Sequence, residues 1–182
     1  MKLKIGVMGG ASGQHSKELL EKATAVGKAI AESKAILFFG ATIGLPLAAA
    51  KGAKEADGTV IGVSPASNKK EHLEKYHYPR DACSAVIYTG MGLAGGRNTI
   101  LVRSCDAIIV IGGRIGTMNE FSVAYAAGIP IGLLKGSGGM ADKAEELERD
   151  VMKGEYPTPI ILEEDPKKLV EKLIAILKQE KH

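Results

Sequence analysis

The sequence predicts an α/β protein, a three-layer, doubly wound, mostly parallel sheet of about six or seven strands. Three observations carry this. Short β-rich runs alternate with helical patterns along all 182 residues, the mark of βαβ units in a parallel sheet with helices on both faces. The run Asp106-Ala107-Ile108-Ile109-Val110-Ile111 is apolar without alternation, as in a strand buried on both faces. Glycine is abundant, at 23 residues, and gathers at a few turns instead of spreading along the chain.

Each element follows from its local pattern. Residues 3–8 read as the first strand, halted at Gly9-Gly10. Leu19, Ala23, Val26 and Ile30 recur at helical spacing and predict a helix over about 16–33. Residues 35–39 form a second strand, closed by Gly40, and 45–56 a second helix with Pro46 tolerated in its first turn. Residues 59–64 are a third strand, stopped by Pro65, and the polar stretch 66–81 reads as irregular. A strand over 84–89 and a helix over about 95–104 lead to the apolar strand 106–111. A helix over 117–127, ending at Gly128, precedes a strand over 129–134. Met140, Ala144, Leu147 and Val151 mark another helix, 159–162 a last short strand, and Leu169, Leu173, Ile176 and Leu177 a final helix entered after Asp165-Pro166.

Composition bounds the function. A chain of 182 residues suits one domain with a full core over residues 1–182. With aromatics at 4% and no Trp, that core rests on Val, Ile, Leu and Ala. A net charge of +3 is too small to argue for nucleic acid. Lys167, Lys168, Lys172 and Lys178 alternate with an apolar stripe and read as a solvated face. Cys83 and Cys105 have no metal-ligand or redox spacing and read as reduced thiols in a cytoplasmic protein. The N-terminus has no signal-peptide pattern, and no apolar run approaches the ~20 residues needed to span a membrane.

Right-handed crossovers bring every strand-to-helix loop to one edge of the sheet, where ligands bind at the switch in strand order. Four glycine-rich loops should meet there: Gly9-Gly10-Ala11-Ser12-Gly13, Gly40-Ala41-Thr42-Ile43-Gly44, residues 89–97, and Gly112-Gly113-Arg114-Ile115-Gly116-Thr117. Helix N-termini after such loops offer free N–H groups and a positive dipole end to a phosphate. A nicotinamide site is not indicated: the first loop is not G-x-G-x-x-G, and the second strand ends Phe38-Phe39-Gly40 without an acidic residue for the ribose. No G-x-x-x-x-G-K-[ST] occurs, which argues against a P-loop NTPase. No metal or cofactor is expected.

The loop at 112–117 says most. Thr117-x-x-Glu120 fits a capping box, in which Thr117 caps the helix and Glu120 reaches back. A cap does not account for Gly112, Gly113 and Gly116 just before it. A phosphate at the helix N-terminus does, with Thr117 as both cap and ligand.

Together these motifs resemble the Lonely Guy (LOG) family within the Rossmann-like nucleotide-binding superfamily. Gly112-Gly113-Arg114-Ile115-Gly116-Thr117-Met118-Asn119-Glu120 is similar to the family's P-G-G-x-G-T-x-x-E, and Gly40-Ala41-Thr42-Ile43-Gly44-Leu45 to its G-G-x-x-G-L. Gly96-Arg97-Asn98 precedes Ser104-Cys105-Asp106-Ala107, where the family has an arginine ahead of a similar strand start. The resemblance implies a phosphoribohydrolase, which cleaves the N-glycosidic bond of a nucleoside 5′-monophosphate to release base and ribose 5-phosphate. It implies Arg97 and Glu120 as the catalytic pair and Gly113, Gly116 and Thr117 as phosphate ligands. Gly9, Gly10, Ala11, Ser12, Gly40, Gly96, Asn98, Gly112 and Arg114 complete the expected substrate-binding set. Relatives of this kind are commonly homodimers or higher homo-oligomers.

Two positions depart from the hydrolases: Ile111 stands where the motif has proline, and Asn98 where they usually have lysine. With Gly136-Ser137-Gly138-Gly139-Met140-Ala141-Asp142, these look more like a sister branch of short proteins that includes molybdenum-cofactor carriers. The alternative is therefore a non-catalytic carrier of a phosphate-bearing cofactor such as molybdopterin. His15, just before a helix, reads as a surface-loop histidine ahead of a phosphate contact, and Arg103 as a helix-surface residue ahead of a second catalytic arginine. Arg114 reads equally as pocket or surface, and Tyr76-His77-Tyr78 as packing, a lid or a dimer contact.

Overall fold

The structure, a computed structural model, describes residues 1–93 and 96–179. Its sheet has seven parallel strands: β1 (Lys4–Gly9), β2 (Ile36–Phe39), β3 (Thr59–Ser64), β4 (Ala85–Tyr88), β5 (Ala107–Ile111), β6 (Ile131–Leu134) and β7 (Ile160–Glu163). Their order is β4-β3-β2-β1-β5-β6-β7. Chain order reverses between β1 and β5, which pair from Ile5↔Ala107 to Gly9↔Ile111. That reversal opens a crevice beyond the carboxyl ends of these two strands.

Helices cover both faces. α1 (Lys17–Glu32), α2 (Leu45–Glu55) and α7 (Pro166–Gln179) bury Val26, Ile30, Ala49, Leu169 and Leu173 against Ile5, Leu37 and Ile109. α4 (Gly96–Arg103), α5 (Ile115–Ala126) and α6 (Gly139–Leu147) bury Leu101, Phe121, Tyr125 and Met140 against Met8, Ile108 and Val110. Each fully buried Ile, Leu, Val or Phe contributes roughly 1.5–3 kcal/mol, so an aliphatic core suffices without Trp. The α1–α2 contact is very close. A β-carbon at Gly27 would overlap the Ala49 carbonyl, and one at Gly52 the Thr24 carbonyl.

β5 is buried throughout, as its apolar run requires, whereas the edge strand β4 is half exposed. α1 begins after Ser16, whose hydroxyl accepts from the Leu19 N–H, and Pro46 sits in the first turn of α2. The predicted start of α4 at residue 95 lies outside the described residues.

Three expectations are corrected. The stretch 66–81 is not wholly irregular, because it contains α3 (Lys69–Glu74). Asn68 caps that helix by accepting from the Glu71 N–H, and the Glu71 carboxylate accepts from the Ser67 N–H. α6 ends before Val151; the chain widens into a π turn over Glu148–Met152, which leaves Val151 exposed. α5 starts at Ile115, two residues before Thr117, so the Thr117–Glu120 capping box does not form. No helix among the described residues is long and apolar enough to cross a membrane.

Candidate functional site

A cleft of about 420 Å³ lies at the β1/β5 switch. Its walls come from the end of β1 and the loop after it (Gly9, Gly10, Ala11, Ser12), the loop after β2 (Gly40, Thr42), the start of α4 (Arg97, Asn98), and the cap and first turns of α5 (Arg114, Ile115, Gly116, Thr117, Glu120). Eleven of the fourteen residues singled out in the sequence thus share one cavity. The other three do not line it. Gly96 packs on Met91, and Gly112 and Gly113 lie behind the wall.

The glycines there divide by task. Gly112 and Gly113 have φ of +58° and +96°, and a β-carbon on Gly113 would overlap Thr117. They turn the chain sharply from β5 into α5, so their role is structural. Gly40 leaves room for the Arg97 guanidinium, which a β-carbon there would displace. Gly116 is different. It has no positive φ, no atom stands within 4 Å of where its β-carbon would be, and it is exposed on the cleft wall. Packing gives no reason for glycine at that place, in the first turn of α5. Close approach of a ligand to the backbone does.

The helix ends also differ. The Leu45 N–H of α2 donates to the Gly10 carbonyl at 2.9 Å. The Met140 and Ala141 N–H groups of α6 donate to the carbonyls of Gly113 (2.9 Å) and Gly112 (3.1 Å). In α5, Arg114 occupies the cap position without a side-chain hydrogen bond. The N–H groups of Ile115, Gly116 and Thr117 find no acceptor among the described residues. They point along a helix dipole whose positive end favours an anion.

Opposite stands an unusual ion pair. Arg97 and Glu120 are 7% exposed each, and Arg97 Nη1 lies 3.7 Å from Glu120 Oε1, too far for a hydrogen bond. Arg97 Nε is buried and has no hydrogen-bond partner among the described residues. Burial pulls the guanidinium down from its ordinary value, against the stabilising Glu120 carboxylate and Tyr78. Burial likewise pushes the Glu120 carboxyl up from 4.5 to about 7, with Arg97 holding it back in part. Both groups are thus desolvated beyond what their mutual attraction offsets, and the guanidinium retains unused donors facing the cavity.

Asn98 is held from α5: its Nδ2 donates to Asn119 Oδ1 at 2.9 Å, while its own Oδ1 is buried without a partner among the described residues. Two residues of the segment 136–142, not expected in the site itself, support the turn. Ser137 Oγ accepts from the Gly112 N–H at 2.8 Å, and the Asp142 carboxylate accepts from the Gly136 and Gly138 N–H groups, both at 2.8 Å. The glycine cluster 136–139 was their visible signal. Arg103 is exposed. Tyr76 stacks on Tyr78 at 5.7 Å, and Tyr78 meets the buried His72 ring edge-on at 5.9 Å. His15, in the loop before α1, is half-buried, and its Nε2 is buried without a partner among the described residues.

Fold and cleft define a doubly wound α/β protein of the LOG-like, Rossmann-like superfamily, with its candidate site at the switch point. Within it, the chain belongs to the SLOG cluster4 family, whose model matches residues 2–170. An uncharacterized protein of Archaeoglobus fulgidus is 38% identical over 133 residues, covering 73% of this chain and 80% of its own. The molybdenum cofactor binding protein of the phototrophic bacterium Rippkaea orientalis superposes with a TM-score of 0.78 at 29% identity, over 97% of this chain and 98% of that one. A molybdenum cofactor carrier protein of Chlamydomonas reinhardtii gives 0.74 at 32% identity, over 98% and 97%.

Proposed function

We propose that the cleft binds a nucleoside 5′-monophosphate, with the phosphate on the N-terminus of α5, and that Glu120 and Arg97 cleave its N-glycosidic bond. The observation that supports this most is the coincidence of two unsatisfied donor sets in one cavity. One is the free N–H row at Ile115, Gly116 and Thr117, and the other the buried Arg97 guanidinium without a hydrogen bond. The buried Arg97 donor is costly unless a ligand or water supplies an acceptor, and the largely solvent-facing N–H row of α5 is open to the same ligand.

The chemistry follows from Glu120. A carboxyl poised at about 7 suits a general base near neutral pH. In hydrolysis the bond from C1′ to the base nitrogen breaks and its electron pair leaves with the base, which takes a proton from solvent. Water oxygen bonds to C1′, and Glu120 accepts the proton that water loses. Glu120, once ionised, also stabilises the oxocarbenium-like charge. Arg97 donates to the substrate and holds it against Glu120.

A second reading is a carrier that holds a phosphate-bearing cofactor without turnover. Two observations favour it: Asn98 is engaged with Asn119 instead of offering a cation to the cleft, and solved neighbours bear the names of molybdenum-cofactor proteins. Both readings use the same α5 phosphate seat.

Incubation with AMP, GMP, CMP and UMP, followed by chromatography, separates them. Free base and ribose 5-phosphate, lost in Glu120→Ala, support hydrolysis. Saturable binding of a monophosphate or pterin phosphate with no base released supports the carrier.

A further inference from the structure

Beside the main cleft lies a smaller cavity of about 170 Å³, room for roughly five or six waters at ~30 Å³ each. It cannot take a nucleoside, but it can take one compact polyatomic group. Gly10, Ser12 and Arg114 line both cavities and form the wall between them.

Its chemistry is one-sided. No carboxylate lines it. His15 Nε2 is buried there without a hydrogen-bond partner, and the imidazole lies over Gly10, where a β-carbon would come within 2.7 Å of Cε1. Gly10 therefore seats the ring, and a larger residue would expel it. Arg114 is exposed and has no ion-pair partner among the described residues; its Nη2 lies 3.4 Å from the β-carbon position of Gly13. An imidazole N–H and a guanidinium around a small space without a carboxylate suit an anion.

We infer that His15 and Arg114 form a second anion subsite, adjoining the phosphate seat of α5, so that the ligand carries two neighbouring anionic groups. The preferred ligand class is a nucleoside 5′-diphosphate or another pyrophosphate ester. This rests on the phosphate reading of the main cleft. It adds that one phosphate leaves the site half filled.

Calorimetry with inorganic phosphate, inorganic pyrophosphate, AMP and ADP tests it on the wild-type chain, His15→Ala and His15→Gln. Wild type should bind pyrophosphate about tenfold or more tighter than phosphate, and ADP correspondingly tighter than AMP, the effect of one added charge-assisted contact. His15→Ala should bring both ratios close to one, and His15→Gln, which keeps an N–H at similar reach, should restore part of them. Thermal melts confirm that each variant is folded. Equal affinity for phosphate and pyrophosphate in wild type overturns the subsite, as does a preference that survives in His15→Ala, or binding of neither anion. A pyrophosphate preference without nucleotide binding upholds the subsite and rejects the nucleotide.

Discussion

Arg97 Nη1 and Glu120 Oε1 lie 3.7 Å apart at the base of the cleft, both buried, with no hydrogen bond between them. Breaking a well-made buried pair normally costs several kcal/mol. This pair is loosely joined, so its residues are expected to contribute more to binding than to stability. Arg97→Met should cost less than the several kcal/mol of a well-made pair, because Glu120 can take up a proton when its counter-ion is lost, and chemical denaturation reads the difference. The same change should weaken nucleotide affinity by about ten- to a hundredfold in calorimetry, the effect of losing hydrogen bonds from a charged group.

Glu120 makes stability depend on pH. Its folded pKa, about 7, is raised above the ordinary 4.5 by burial. The folded state therefore holds the proton more tightly than the unfolded chain. The site is least costly below pH 4.5, and stability falls as pH rises from there through 7. The loss is on the order of 3 kcal/mol, at 1.36 kcal/mol per pKa unit. Glu120→Gln should flatten this limb, so that urea midpoints of wild type and variant agree at low pH and diverge in the variant's favour above neutrality.

Gly116 separates ligand approach from backbone need. Gly116→Ala meets nothing within 4 Å and requires no positive φ. It should stabilise the protein by up to about 1 kcal/mol through helix propensity. Nucleotide affinity should nonetheless fall if a ligand approaches the backbone at this lining position as closely as its glycine allows. Gly113→Ala should do the opposite to stability, since its φ is +96° and Thr117 occupies the space. Thermal melts with and without AMP read both effects.

Ser137 secures the glycine turn from the next loop. Ser137→Ala leaves the buried Gly112 N–H without its 2.8 Å acceptor. The expected cost is about 1–3 kcal/mol. Hydrogen exchange should quicken at Gly112 and over the first turn of α5, and affinity should weaken with it.

Elements with a local cause were legible in the sequence. Ser16 marked the start of α1, Pro46 the first turn of α2, and the unbroken run 107–111 the central strand. α3 has no apolar stripe to read, and its Asn68–Glu71 cap shows only in the structure. Thr117 and Glu120 had the spacing of a cap, but the positive φ at Gly112 and Gly113 starts the helix earlier and turns Glu120 inward. The facing of Arg97 and Glu120 was expected from the family resemblance; no local pattern joins residues on different helices. The same limit applies to the seating of the His15 ring, which depends on Gly10 having no side chain.

The most direct test of the central claim, a phosphate on the N-terminus of α5, is amide NMR during titration with AMP. The Ile115, Gly116 and Thr117 N–H resonances should move furthest, downfield as charge-assisted hydrogen bonds form, and should saturate with the calorimetric Kd. Saturable AMP binding that leaves these three amides unmoved would contradict the account.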